Sequence, residues 1–453
     1  ARVALAEGVP RKRLKMPILA PHATDQMVAR LKDKASIRLT LDANLQRSLE
    51  VLARDRALAL GPDISIGILA VDNATGDILA RVGSPDYFDE RRAGQVDMTR
   101  AVRSPGSTLK PFIYGLAIED GFVHPESLID DRPIRYGSYA PENFDMTFQG
   151  TVSVRKALQF SLNVPAIALL DRVGAPRLAS RIKQAGAALV LPKDEAPGLA
   201  MGLGGVGITL SDLVQLYAGL ARQGNTVALR DLMDDASERE QMRLLDPIAA
   251  WHIGNILIGA PPPENAVGNR IAFKTGTSYG YRDAWSVGFD GRMTIGVWVG
   301  RPDGTPVTGM LGRTTAAPIL FDAFARSGKV LMPLPAAPRG ALVAQNARLP
   351  TPLRRFRPLG ELVRTSDERA LRIQFPLNGS RLDLGADGRS DLSPIAVKVA
   401  GGVPPMRILV NGLAAGDIDA RRQKLVDAPG PGFTRVTVMD AAGALDTVVV
   451  RLQ

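Results

Sequence analysis

The chain has 453 residues, 45% of them apolar and 23% charged, with 56 Lys and Arg against 46 Asp and Glu for a net charge of +10. That length exceeds one ordinary domain and predicts two or three, each with its own core, and the absence of any run of 18 uncharged apolar residues argues against a spanning helix in this sequence. Zero cysteines exclude disulfides, thiol nucleophiles and thiolate metal sites. Three histidines, His22, His124 and His252, lie far apart without HExxH spacing, which argues against a zinc hydrolase and against a Ser-His-Asp triad. The positive charge is scattered, aromatics are only 5%, and no nucleic-acid motif is present, so no nucleic-acid partner is expected.

Residues 1–37 open on Ala, show no signal-peptide pattern, and hold prolines and basic residues without periodicity. They read as a linker, with any export signal or anchor expected upstream; the basic run RKRLK at 11–15 reads as a solvated or membrane-proximal segment. In SIGILAVDNATGDILARVGS, 65–84, two apolar runs flank Asp72-Asn73-Ala74-Thr75-Gly76, which predicts a β-hairpin. From 107 to about 260 the pattern is helical. RIAFKTGTS, DAWSVGFD and MTIGVWVG then read as strands, the last two joined across Asp290-Gly291. Strands from both ends around a helical middle predict one α+β domain over 38–332. The Pro- and Arg-rich stretch 333–365 reads as a second linker, and the short strands of 366–453 as a small all-β, Ig-like sandwich.

Three short fragments carry chemistry. In RSPGSTLKPF, 103–112, Pro111 tolerates only the first turns of a helix, so that helix begins close to Ser107, and Gly121 ends it. Ser107 and Lys110 are then one turn apart, a hydroxyl and an amine aimed at one spot beside backbone N–H groups able to receive an oxyanion. Alone, the pair is a weak motif and reads first as a capping serine followed by a surface lysine. QFSLNVPAIALL places Ser161-Leu162-Asn163 between a helical segment at about 152–160 and another opened by Pro165, where Asn163 could simply be a cap. Lys274-Thr275-Gly276-Thr277 ends a strand and, alone, is an ordinary entry into a turn.

Taken together and in this order, SxxK, SxN and KTG resemble the signature of active-serine penicillin-binding proteins and β-lactamases. The stretches VDNATGDILARVGS, RSPGSTLKPFIYGLAIEDG, LGGVGITLSDLVQLYAGLARQG and FKTGTSYGYRDAWSVGFDGRMTIGVWVG look like the transpeptidase domain of class A penicillin-binding proteins over about 38–332. IQFPLNGSRLDL and VAGGVPPMRILVNG are similar to the C-terminal module of the 1C-type members, and RKRLKMPILAPHA to their connection between two catalytic domains. The glycosyltransferase domain that precedes the transpeptidase in that family is not found here, since 37 residues cannot contain it; it is expected either to have been removed or to be naturally absent.

The resemblance implies a serine β-lactamase/transpeptidase-like fold and a D-Ala-D-Ala transpeptidase, with peptidoglycan stem peptides as substrate and β-lactams as covalent inhibitors. It makes Ser107 the nucleophile and Lys110 the base that takes its proton. Ser161 would relay a proton to the leaving D-Ala, while Asn163 would bond the substrate backbone and orient Lys110. Lys274 would supply positive potential and, with Thr275 and Thr277, hold the terminal carboxylate; Gly276 would let the substrate lie as an added strand. The backbone N–H groups of Ser107 and Thr277 would form the oxyanion hole. No cofactor and no metal are implied. The place implied is the periplasmic face of a bacterial inner membrane, with cell-wall protein partners for the C-terminal module. Rival readings are a DD-carboxypeptidase or β-lactamase, which pass the acyl group to water, and a non-enzymatic β-lactam sensor or cell-wall scaffold. GLGGVG at 202–207 matches a dinucleotide fingerprint in letters only, since no strand leads into it; Asp130-Asp131 and Asp234-Asp235 read as solvated loop carboxylates.

Overall fold

In the computed structural model, which describes residues 18–136, 139–143, 147–192, 196–234, 240–264, 266–358, 371–382, 394–419 and 422–453, the apolar runs from both ends of the N-terminal region meet in one sheet. The run at 11–15 and Asp235 lie outside the described residues. Two units are distinguished, Ala1–Arg132 with Pro141–Leu359, and Pro133–Ala140 with Gly360–Gln453. Among the described residues no helix is long and apolar enough to cross a membrane.

The first unit begins with α1 (Pro21–Arg30), α2 (Ala43–Leu60), β1 (Ser65–Asp72) and β2 (Ile78–Val82). Its middle holds α3 (Lys110–Glu119), β3 (Leu128–Asp131), β4 (Gly150–Ser153), α4 (Val154–Gln159), α5 (Asn163–Val173), α6 (Ala175–Gln184) and α7 (Leu210–Ala221). After the two-residue strands β5 (Asn225–Thr226) and β6 (Met242–Arg243) come α8 (Pro247–Leu257), β7 (Ala272–Thr277), β8 (Asp283–Phe289), β9 (Met293–Gly300) and α9 (Ala317–Arg326). The central sheet runs β2-β1-β9-β8-β7 and is antiparallel throughout. Every residue of β8 and β9 is buried, because the sheet is covered on both faces. Trp285, Val287 and Trp298 pack with α3, α7 and α8, while Ile66, Ile68, Ile295 and Val297 pack with α2 and α9. The hairpin turns are closed by their aspartates: Asp72 Oδ1 accepts from Ala74 and Thr75 N at 2.9 Å, and Asp290 Oδ1 from Arg292 and Met293 N at 2.8 Å. β7 ends the sheet, and among the described residues no strand pairs with its outer edge.

Both stretches read as linkers hold structure. Helix α1 buries Ala23 and Met27, and its His22 Nε2 bonds Gly94 O at 2.8 Å. Residues 333–358 lie along the first unit: Asn346 Nδ2 donates to Glu126 O at 2.9 Å, Phe356 N to Leu128 O at 2.8 Å, and Arg355 pairs with Asp130. The apolar anchors of these stretches are few and widely spaced, Ala23 and Met27 in α1 and Leu349 and Phe356 in 333–358, so they leave no sustained apolar period for sequence inspection to detect.

His124 and His252 stack edge to face with centroids 5.2 Å apart. Glu126 N donates to His124 Nδ1, so the ring proton sits on Nε2 and is donated to Leu342 O at 2.8 Å. Burial, then His124 and Arg155, push the His252 pKa down to about 4. A histidine depressed in the folded state stabilises the fold above its unfolded pKa, and that stability is lost as pH falls through the window from 6.5 to 4. The loss comes to about 3 kcal/mol. Denaturant unfolding at pH 7.5, 5.5 and 4.5 should show this fall, and His252→Phe should flatten it.

The second unit is all-β. Its strands are β10 (Arg372–Phe375), β11 (Arg381–Leu382), β12 (Ile395–Ala400), β13 (Arg407–Val410), β14 (Leu413–Asp417), β15 (Gln423–Val426), β16 (Gly432–Met439) and β17 (Leu445–Leu452). A three-stranded sheet, β10-β12-β15, and a five-stranded sheet, β11-β17-β16-β13-β14, share one core of Val397, Ile408, Val436, Val438 and Val450. The alternation of buried and exposed residues along β16 and β17 is that of a sandwich, as expected.

Candidate active site

The serine sits on a tight turn. Gly106–Leu109 is a single 3₁₀ turn running into α3, so the α-helix starts at Lys110, one turn later than the sequence suggests, and Lys110 N bonds Ser107 O. Neighbours fix this turn from several sides. Trp285 Nε1 donates to Ser104 O at 2.8 Å, Tyr217 OH to Thr108 O at 2.8 Å, and Ser104 Oγ to Gly204 O at 2.7 Å. Two glycines let the turn meet the end of β7. Gly106 has φ +53° and a Cβ there would stand 2.4 Å from Thr277 O; a Cβ on Gly276 would stand 2.5 Å from Pro105 O. GLGGVG belongs to the same packing, since a Cβ on Gly204 would fall 2.6 Å from Gly106 N. The run supports the serine turn and is no nucleotide site.

The second fragment lies at a helix end. After α4, Leu162 N bonds Ala157 O and Ser161 N bonds Leu158 O, which makes Ser161 the left-handed closing residue of a Schellman motif, with φ +58°. Glycine is the usual residue there, and a serine carries strain. What the strain achieves is an inward-facing pair of oxygens: Lys110 Nζ donates to Ser161 O at 2.6 Å and lies 3.4 Å from Ser161 Oγ. Lys110 also donates to Leu162 O at 3.1 Å and Asn163 Oδ1 at 2.6 Å. Its amine has no exposed surface. Those acceptors favour the ammonium, but burial, and after it the Lys274 charge, outweigh them and hold the Lys110 pKa well below the ordinary lysine value; Asp131 acts in the opposite direction.

On β7, Lys274 is buried and donates to Ser161 Oγ and to Thr275 O, both at 2.8 Å. Desolvation pushes its pKa down to about 7. Thr275 and Thr277 are half-buried, and Thr277 Oγ1 accepts from Gly312 N at 3.0 Å, which leaves the hydroxyl proton free to donate. All eight residues singled out from the sequence therefore gather around one spot, where the serine turn, the Ser161 turn and the edge strand β7 converge.

Two residues behind this site escaped sequence inspection. Asp131 is not a solvated loop carboxylate: it lies on β3 with no exposed surface, both oxygens 2.9 Å from Asn143 Nδ2, with Gln149 N donating at 2.7 Å. Its neighbour Asp130 points the other way, to Thr151 and Arg355. Asn143 in turn accepts from Asn163 N at 2.7 Å. The usable signal was the alternation in Leu-Ile-Asp-Asp, which puts Asp131 on the side of buried Ile129. Asp234, by contrast, is exposed.

The penicillin binding protein transpeptidase domain family matches residues 66–301, and the penicillin-binding protein C-terminus family matches residues 360–452. Over 309 residues the chain is 44% identical to penicillin-binding protein 1C of Escherichia coli (strain K12), covering 67% of this chain and 40% of that protein. Penicillin-binding protein 1F of Bacillus subtilis (strain 168) is 28% identical over 289 residues, 58% of this chain and 39% of its own length. The chain thus spans about 40% of the length of these curated relatives. Among solved structures, PonA1 of Mycobacterium tuberculosis in complex with penicillin V superposes with a TM-score of 0.61 at 19% identity, covering 70% of this chain and 95% of that one. Penicillin-binding protein 1A from Haemophilus influenzae gives 0.61 at 16% identity and 75% of each chain. These structures share the fold of the first unit, and the transpeptidase match alone spans just over half of the sequence and contains all eight candidate residues. The chain belongs to the penicillin-binding protein transpeptidase family and carries that family's C-terminal module.

Proposed function

We propose that this chain cross-links peptidoglycan through a serine acyl-enzyme. Ser107 attacks the amide between the last two D-Ala residues of a stem peptide, and its proton passes to Lys110. The tetrahedral oxyanion rests between the backbone N–H groups of Ser107 and Thr277. Ser161, joined to both lysines, delivers a proton to the leaving D-Ala nitrogen. Lys274, Thr275 and Thr277 hold the terminal carboxylate, whose charge restores Lys274 to its ammonium form. The donor peptide lies along the open edge of β7 as an added strand beside Gly276. An amine from a second stem peptide then takes the acyl group and frees Ser107. β-Lactams acylate the same serine, and the chain works at the periplasmic face of a bacterial inner membrane, with the C-terminal module meeting cell-wall protein partners. No step requires a cofactor.

The observation that carries this reading is Lys110: an amine without exposed surface, its pKa pushed well below the ordinary lysine value by burial and by Lys274, one turn from a serine in a chain whose three histidines lie elsewhere. Among the described residues Asp131 is the carboxylate whose charge acts on Lys110. Both its oxygens are occupied and sealed, so it cannot poise a deacylating water. A pentapeptide donor supplied with a second, amine-bearing peptide should yield cross-linked dimer and free D-Ala; D-Ala release with tetrapeptide alone would make the chain a carboxypeptidase.

Ser161→Gly separates the strain at this site from its chemistry. Glycine relieves the left-handed position, so the thermal midpoint should hold or rise by about 1–3 °C. The acylation rate should nevertheless drop by about tenfold or more, because the hydroxyl bridging the two lysines is gone.

A further inference from the structure

Asn163 is pinned from behind at two points. Its backbone N donates to Asn143 Oδ1 at 2.7 Å, and its Nδ2 donates to Glu142 O at 2.6 Å, which turns its Oδ1 onto the Lys110 amine at 2.6 Å. Asn143, itself 4% exposed, can do this in only one orientation. A carboxylate accepts and never donates, so the Asn143 Nδ2 must face Asp131, with Thr147 O as its further acceptor at 2.7 Å. Its Oδ1 is thereby aimed at Asn163 N. A buried carboxylate thus dictates the orientation of an amide, which dictates the place of a second amide, which holds the amine.

The charges around that amine are few. Lys274 on β7 is the neighbouring cation, and Asp131 on β3 the opposing anion. Tyr114, one turn along α3 from Lys110, has a buried hydroxyl without a partner, and burial with the Asp131 charge keeps it a neutral phenol.

We infer that Asp131 and Asn143 are positioning residues for the acylation step: the pair fixes the turn from Ser161 to Asn163 against Lys110, and the Asp131 carboxylate is the standing counter-charge of that amine. This rests on Lys110 being the base for Ser107. Asp131 works against the depression of Lys110, so its charge sets how far up in pH the amine stays protonated. Removing the charge makes Lys110 easier to deprotonate.

The test is the second-order rate of acylation by benzylpenicillin from pH 5 to 9, on the full chain, with thermal midpoints recorded alongside. In Asp131→Asn the acid limb should move to lower pH by about one unit, whatever happens to the plateau. Asp130→Asn, one residue along the same strand and facing Arg355, loses the same charge and should leave the limb in place. Asn143→Ala should cut the plateau by about ten- to a hundredfold, since Asn163 N loses its acceptor. The exchange Asp131→Asn with Asn143→Asp keeps one carboxylate and one amide in contact, so it should recover most of the plateau and return the limb toward the parent, even if Asp131→Asn folds poorly. A folded Asp131→Asn whose acid limb coincides with that of Asp130→Asn, with the loss uniform across pH, or a folded exchanged variant that recovers none of the plateau lost in Asn143→Ala, would reduce the pair to ordinary packing and overturn the inference. A parent chain that benzylpenicillin does not acylate at all would instead remove the reading of Ser107 and Lys110 on which it stands.

Discussion

A fluorescent penicillin is expected to label the chain covalently on Ser107, and Ser107→Ala is expected to lose labelling by at least about four orders of magnitude in rate while remaining folded. The size of the effect follows from the chemistry: without the hydroxyl no ester forms, and neither lysine stands where it could replace it. The fold should survive because the serine turn is held by other groups. Trp285, Tyr217 and Thr108 donate to main-chain oxygens of the turn, and none of these bonds involves the Ser107 hydroxyl. The change removes one half-buried oxygen and should cost about 1 kcal/mol or less. Two readouts separate the cases, in-gel fluorescence and the thermal midpoint. A variant that keeps the parental midpoint and labels at the parental rate would place the nucleophile elsewhere. The adduct on the parent should also persist, since Asp131 is sealed behind Asn143 and cannot activate water against the ester.

What could be read from the sequence was whatever chemistry or burial forces into a short spacing. A serine and lysine three positions apart, a serine and asparagine two apart, and Lys-Thr-Gly each mean little alone; their order made them one site, and the structure brings them together. The strands β8 and β9 were legible for a different reason, because burial on both faces turns a strand into an unbroken apolar run. Asp131 and Asn143 were not legible in this way. Each is a single polar residue whose importance comes from a partner remote in sequence, and a pair of adjacent aspartates looks solvated until the strand separates them to opposite faces. A related limit applies to α1 and to residues 333–358, held by polar contacts such as His22 with Gly94 and Asn346 with Glu126 and by a few scattered apolar residues, Met27 and Phe356 among them, that form no period. Ser161 marks a conflict between local preference and function: the end of α4 asks for glycine, and the site supplies a serine at positive φ.

Lys110→Arg is expected to lose acylation by at least about two to three orders of magnitude, as severely as Lys110→Ala, whereas Lys274→Arg should lose far less. Arginine keeps the positive charge and even the reach, but it does not give up a proton at any pH a protein survives, so it cannot accept one from Ser107. Lys274 differs in what is asked of it. Its task is to present a charge to Ser161 and to a substrate carboxylate, which a guanidinium can also do. The rival is specific, because Lys274 is itself brought down to about 7 and donates to Ser161 Oγ at 2.8 Å, so a proton could leave Ser107 through Ser161 toward Lys274. The two routes predict opposite rankings of the arginine variants. Steric injury is the remaining confusion, since the Lys110 site has no exposed surface and a guanidinium is larger than an amine. Small neutral amines resolve it: added to Lys110→Ala, methylamine can enter the space left by the side chain and should restore part of the acylation rate in its unprotonated form, with a slope in amine concentration that grows with pH. Guanidinium at the same concentration should restore none. If Lys110→Arg acylates close to the parental rate, or if methylamine and guanidinium behave alike, Lys110 is not the base and the proton leaves through Ser161.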